Sequence, residues 1–169
     1  MPRRLSGFDQ LDQRLIACLF EVPFQGLQEA ARRLGVARGT VESRLEHLLA
    51  SGVITKLGPY VNPKALGYAV EAFTTFEVDQ SSRRVVFAEL NAIPNVLEAH
   101  IVTGPDDVLC RLAARDNDEL RLVIDTILGI PGVRRSSTRI SLTEAIPYRV
   151  GPLLARAAGA SAPKEDGSE

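Results

Sequence analysis

The stretch Leu27–Ile54, LQEAARRLGVARGTVESRLEHLLASGVI, decides how the first part of this chain folds. It reads as two short amphipathic helices with a tight turn between them. Leu27, Ala30, Ala31 and Leu34 fall on one face of the first helix, and Val41, Leu45, Leu48 and Leu49 on one face of the second. The turn is Gly35-Val36-Ala37, with glycine where a left-handed residue is wanted. The Ala30-Ala31 pair lets the two helices cross closely and steeply. Two helices joined in this way are the sequence form of a helix-turn-helix, whose second helix enters the DNA major groove. An ordinary helical hairpin inside a core shares the periodicity; the alanine pair and the turn glycine favour the first reading.

The polar face of the second helix shows Arg38, Gly39, Thr40, Ser43, Arg44 and His47, and these are the candidate DNA-facing residues. Arg38, at the helix N-terminus, can reach a phosphate or a guanine edge, and Thr40 and Ser43 can bond phosphate or base. Arg44 has a competing structural use, an ion pair with a carboxylate such as Glu42 or Glu46. Those two glutamates oppose phosphates, and either face solvent or read cytosine. Gly39 weakens the first helical turn but allows close approach of backbone to DNA.

Upstream, Leu11, Leu15, Ile16, Leu19 and Phe20 line one side of a first helix over residues 11–20, with Asp9 as its cap and Pro23 as its stop. Downstream, residues 54–63 read as an extended arm with turn signals at Gly58-Pro59 and Asn62-Pro63. The expected organisation is a helix-turn-helix domain over 1–53, an arm over 54–67, a second domain over 68–156 and a disordered tail over 157–169. The LTEAIPYRVGPLL segment that begins at Leu142 is of undecided type, strand or helix.

The second domain carries an internal repeat. Ile93-Pro94-Asn95-Val96 is matched by Ile130-Pro131-Gly132-Val133, each copy ending a helix and entering a strand. Residues 69–78 alternate Val70, Ala72, Thr74, Phe76 and Val78 on one face, and residues 108–114 form another strand. Helices are expected over 82–92 and from Asp116, where Glu119 completes a capping-box variant. The order β-α-β-β-α-β is a ferredoxin-like unit with pseudo-twofold symmetry, so the fold class is α+β. Both helices cover one sheet face. Phe73 and the apolar residues of 96–102 leave the other face needing cover, and a second copy of the chain is the simplest.

Composition narrows the class. A hydrophobic share of 45% and a charged share of 24% are those of a soluble globular chain. Nothing is long and apolar enough to span a bilayer, and MPRRLSGFDQ lacks the apolar core of a secretory signal, so a cytoplasmic location is expected. Cys18 and Cys110 lie in apolar periodic segments without metal-ligand spacing, and read as buried reduced thiols. Residues 1–60 hold eight Lys/Arg against six Asp/Glu, whereas the remainder holds twelve against fifteen. The basic bias at the N-terminal end is weak, and two or more copies acting together would supply the phosphate contacts that one copy lacks. No zinc-protease motif, nucleophile elbow or phosphate loop is present, so no enzyme, metal or cofactor is expected. His100, on a strand, reads as an interface residue.

The loop Thr103-Gly104-Pro105-Asp106-Asp107 joins two strands of the second domain. Its backbone N–H groups can hold a carboxylate and its acids an ammonium, which is amino-acid chemistry. Gly-Pro-Asp is equally good turn chemistry without a ligand.

This order of elements resembles the Lrp/AsnC ("feast/famine") family of transcription regulators over roughly residues 11–154. The resemblance is carried by Leu11-Asp12, by Leu34-Gly35-Val36, by Thr40-Val41 and Arg44-Leu45, and by Gly52-Val53-Ile54. Further along it is carried by Val61-Asn62-Pro63 with Leu66-Gly67, by Thr103-Gly104 with Asp107, and by Pro131-Gly132-Val133 with Thr138. It implies homodimers, commonly assembled into octamers, that bind double-stranded DNA through the N-terminal modules. It also implies a C-terminal unit that binds amino acids or related metabolites, with Gly104, Asp106, Asp107 and Thr138 as effector-binding candidates. The family usually has Ser or another capping residue where Ala37 stands, a difference of about 1 kcal/mol in helix stability. It often has an aromatic where Asp106 stands. Two alternatives accompany this reading: an Lrp-like tetrapyrrole decarboxylase, and a metabolite-binding oligomer without DNA binding.

Overall fold

The computed structural model describes residues 8–22 and 26–157. Pro23 and the tail beyond 157 lie outside the described residues. The chain divides into two compact units, one formed by residues 8–58 with 146–157 and one by residues 59–145.

The first unit contains helices α1 (Gln10–Glu21), α2 (Leu27–Leu34) and α3 (Arg38–Ala50). Its core is Leu15, Cys18, Ala30, Ala31, Leu34, Val41 and Leu48. Two expected core residues lie off the buried stripes. The inward face of α1 runs through Leu11, Leu15 and Cys18, so Phe20 falls outside it and is 59% exposed. Leu49 sits at the edge of the α3 stripe and is exposed as well. Gly35 ends α2 with φ 71°, and its N–H and that of Val36 both donate to the Ala31 carbonyl. That left-handed residue makes the turn into α3. The arm after α3 contains no strand; Val53 and Ile54 pack on the helical core. Residues 146–157, which the sequence reading assigns to the second unit, instead return to the first, where α6 (Gly151–Ala157) packs on α1. Pro147 and Pro152 interrupt any period there, which hid the helix from sequence.

The second unit is an antiparallel sheet in the order β2-β3-β1-β4, built from β1 (Val70–Val78), β2 (Val96–Ile101), β3 (Val108–Ala114) and β4 (Val133–Ile140). Helices α4 (Arg83–Ala92) and α5 (Asn117–Leu128) follow β1 and β3. This is the expected ferredoxin-like βαββαβ order. Ala72, Thr74, Phe76 and Val78 of β1 are buried, and their alternation fixes the register against the core residues Val86, Leu90, Val123 and Ile127 of the helices. The repeat is real in hydrogen bonding. Ile93 N–H donates to Leu90 and Val96 N–H to Ile93; Ile130 N–H donates to Ile127 and Val133 N–H to Ile130. Asp116 caps α5 through the Glu119 N–H, while the Glu119 carboxylate accepts from the Arg115 N–H rather than from the cap residue itself.

The uncovered sheet face is more charged than its sequence suggests. Glu71 pairs with Arg111 at 2.8 Å and Glu77 with Arg135 at 2.9 Å, and Phe73 lies in register between Arg111 and Arg139. The Glu71 carboxylate raises the Arg111 pKa above its ordinary value. On β2, Leu97 and Ile101 are exposed.

Gly132 has φ 97°, and a Cβ there would overlap the side chain of Ser82 at the start of α4. Gly104 has φ 129° but open space around it. Gly132→Ala is therefore expected to cost about 1–3 kcal/mol in urea unfolding, from backbone strain together with overpacking. Gly104→Ala is expected to cost less, because only the strain applies.

Candidate nucleic-acid interface and effector loop

The N-terminus of α3 has no side-chain cap, because Ala37 has no oxygen to offer. The Thr40 and Val41 amides turn back to the Ala37 carbonyl. The N–H groups of Arg38 and Gly39 point out of the first turn of an uncapped helix, an arrangement that favours anions. Arg38, Gly39, Thr40, Ser43 and His47 are all exposed. Gly39, Thr40, Ser43, Arg44 and His47, with Asp12 of α1, line one open depression of about 580 Å³. The structure thus brings together five of the six sequence-derived residues, and leaves Arg38 at the helix start beside them.

Arg44 differs from the others. Its Nη1 lies 2.7 Å from Asp9 Oδ2 and 2.9 Å from Asp12 Oδ1. The expected ion pair is present, with α1 partners in place of Glu42 or Glu46. The correction has a simple cause. Glu42 and Glu46 are each two residues from Arg44 on α3, and side chains at that spacing do not face each other. The carboxylates themselves form a capping box: Asp9 Oδ1 accepts from the Leu11 and Asp12 amides, and Asp12 Oδ2 accepts from the Asp9 amide. One guanidinium thus joins the start of α1 to the middle of α3. The Asp12 amide and the Arg44 guanidinium hold Asp9 below the usual carboxylate range, and the Asp12 carboxylate, with that of Asp9, raises Arg44. Arg14 adds a second tie, from α1 to the Leu34 carbonyl at 3.2 Å. On α2, Glu29 accepts from both Arg32 and Arg33, and these hydrogen bonds bring its pKa to about 2. Those pairs are exposed and add little stability.

In the second unit, the loop between β2 and β3 is closed by Val102 N–H donating to the Asp107 carbonyl. Asp107 is an internal tie as well. Its Oδ2 accepts from the Val78 amide at 3.0 Å and its Oδ1 from Arg83 Nη2 at 2.6 Å. The Val78 amide, then Arg83, lowers its pKa. Of the two acids expected to meet an ammonium, Asp107 is thus tied within the protein, and Asp106, half-buried, makes no such tie. Thr138 of β4 bonds Thr74 Oγ1 at 3.1 Å, while the loop bonds Phe76 and Val78, two and four residues further along β1, from the opposite edge of that strand. One protomer does not bring Thr138 to the loop. Sequence reasoning missed Asp12 and Arg83 as partners; the Asp-x-x-Asp spacing was the available signal for the first. Cys18 and Cys110 are both buried, and burial pushes the Cys110 thiol up to about 11. No helix among the described residues is long and apolar enough to cross a membrane, and no cluster of metal-ligating side chains occurs among them.

A helix-turn-helix unit with an open, anion-favouring reading helix and a ferredoxin-like unit define a two-part DNA-binding protein. Residues 8–55 match the winged helix-turn-helix DNA-binding family, and residues 71–150 match the Lrp/AsnC ligand binding domain. The chain is 33% identical over 136 residues to the HTH-type transcriptional regulator FL11 of Pyrococcus abyssi, covering 80% of this chain and 90% of that protein. Its fold is similar to that of E. coli AsnC, with a TM-score of 0.77 and 27% identity over 86% of this chain and 99% of the other. It is also similar in fold to a transcriptional regulator from Neisseria meningitidis solved as its L-Met complex, with a TM-score of 0.76 and 21% identity over 86% and 99% of the two chains. The chain belongs to the Lrp/AsnC family. It is a DNA-binding transcriptional regulator, like its relatives.

Arg44→Ala is expected to lower stability by about 1–3 kcal/mol in chemical denaturation, because it strips a buried carboxylate of its cation. Asp9 is one of the carboxylates, with Glu29 and Asp107, that contribute to the acid limb. Its folded pKa lies below the ordinary 3.8, so its contribution is complete above that value and is lost as pH falls through the lowered one. Asp9→Asn should therefore flatten the acid limb of the stability curve without changing the curve's shape at neutral pH.

Proposed function

We propose that this chain is a sequence-specific regulator that acts as a homodimer or larger oligomer and responds to an amino acid or related metabolite. The observation that carries the first part is the exposed face of α3, where Gly39, Thr40, Ser43 and His47 line one depression beside Arg38. The exposed hydroxyls and imidazole read base edges, while Arg38 and the uncapped amides hold phosphate. Exposed apolar side chains support self-association. Tyr60, Val61 and Leu66 of the arm, Leu97 and Ile101 of β2, and Leu142 after β4 need cover that a second copy supplies. One copy carries few free cations, and a symmetric pair doubles them on a two-half operator. A cytoplasmic location goes with this role.

The effector reading rests on the Gly104 loop, and the L-Met complex of the Neisseria relative supports its chemical class. Backbone N–H groups of the loop take the carboxylate, and Asp106 takes the ammonium. Asp107 holds the loop to β1 and α4 and makes no ligand contact. Thr138 joins the site only across a subunit boundary. Ligand acts by favouring one arrangement of the oligomer over another.

A gel-shift titration on DNA flanking the gene for this chain, with competitor DNA and with and without pooled amino acids, tests the whole reading. A competitor-resistant shift that changes with the pool is expected; no specific shift in either condition contradicts it. Arg38→Ala should weaken that binding while leaving the unfolding midpoint unchanged, and unchanged affinity at fixed salt removes Arg38 from the interface. In calorimetry with the responsive amino acid, Asp106→Asn should abolish the heat at wild-type stability, whereas Asp107→Asn should lower the unfolding midpoint. The reverse pattern contradicts the division of labour between the two acids.

A further inference from the structure

Helix α3 exposes an acid for which the described residues offer no partner. Counted at about 100° per residue, Gly39, Ser43 and Glu46 fall within about 60° of one another, on the side away from the buried Val41 and Leu48. All three are exposed. Glu46 thus shares a stripe with two of the DNA-facing residues. It lies two turns beyond Gly39, about 10 Å, a span that fits a major groove about 12 Å wide. Glu42 falls nearer the half-buried Leu45 flank. Glu46 makes no hydrogen bond or ion pair among the described residues. Its helical neighbours three and four positions away are Glu42, Ser43, Leu49 and Ala50, none of them a cation. Arg44 is held by Asp9 and Asp12 of α1. No internal pairing accounts for a carboxylate on this stripe, and phosphate repels it. Its chemistry selects what it can meet in the groove. An ionised carboxylate only accepts hydrogen bonds. Guanine N7 and O6 and thymine O4 are acceptors that repel it, and adenine sets the acceptor N7 beside its N6 donor. The cytosine N4 amino group donates to it without such a neighbour.

We propose that Glu46 is a specificity-determining residue that accepts a hydrogen bond from a cytosine N4 amino group in the major groove. The proposal rests on the DNA-binding reading above and names one base that α3 reads. The same carboxylate weakens binding wherever that cytosine is missing, so it acts on sequence preference rather than on overall affinity.

The test selects duplexes from a randomised library with the full chain, with Glu46→Gln and with the charge-matched control Glu21→Gln, an exposed acid at the far end of α1. Wild type should enrich cytosine at one base pair of each half-site. Glu46→Gln, whose amide both donates and accepts, should enrich adenine there, and Glu21→Gln should select as wild type does. At fixed salt, Glu46→Gln should bind the wild-type duplex about tenfold more weakly and a random duplex no more weakly, with an unchanged unfolding midpoint. An unchanged selected sequence, or equal tightening on both duplexes as charge removal alone gives, overturns the proposal and leaves the DNA reading intact. A wild-type chain that enriches no sequence overturns both.

Discussion

One guanidinium between two carboxylates organises the DNA-binding unit. Arg44 reaches from the middle of α3 to Asp9 and Asp12 at the start of α1, and the same two acids cap α1 through its first amides. Asp12 is buried, and a buried carboxylate is tolerable only when its oxygens are all met. Here they are met by the Asp9 amide and by Arg44. The consequence reaches function. The α3 helix lacks a side-chain cap and carries glycine in its first turn, so its own local stability is poor. Packing of Val41 and Leu48 from the far side, together with the Arg44 tie, holds it in place. The exposed first turn is then left open, while the Arg44 cation is engaged in holding the helix.

The sheet unit applies the same economy of partners at its own corner. Asp107 reaches both the end of β1 and the start of α4, through Val78 and Arg83. Beside it, the Asp79 amide donates to the Gly132 carbonyl, Arg134 pairs with Asp79 at 2.6 Å, and Gly132 presses on Ser82. Three segments distant in sequence, 78–83, the residue Asp107 and 132–134, are pinned together in one corner next to the Gly104 loop. The loop is thus anchored at its base, with its tip, Gly104 to Asp106, beyond the tied residue. At the opposite end of the sheet, Ser141 N–H donates to the Glu71 carbonyl, so the chain leaves β4 alongside the start of β1.

Much of this was legible in the sequence, and the reasons for what was not are physical. Gly35 announced the turn because only a left-handed residue ends α2 that way. The Ile-Pro-x-Val repeat announced the pseudo-symmetry because each copy uses the same two turn hydrogen bonds. The alternation in β1 gave its buried face residue by residue. Long-range pairings were hidden. Nothing local links Arg44 to Asp12, 32 positions away, or Arg83 to Asp107, 24 positions away. A charged side chain at helical spacing looks the same whether it meets DNA or a distant acid. The return of residues 146–157 to α1 was hidden for a related reason: a seven-residue helix with a proline as its second residue has no period to read.

The central claim is that α3 presents Arg38, Gly39, Thr40, Ser43 and His47 to DNA while Arg44 stays bound to α1. Hydrogen–deuterium exchange across the whole chain, with and without a duplex that it binds, tests this most directly. Slowed exchange concentrated at the first turns of α3, with the first-turn amides of α1 exchanging as in the free protein, is the predicted result. Unchanged exchange in α3 with protection elsewhere, or release of the α1 amides on binding, would contradict it.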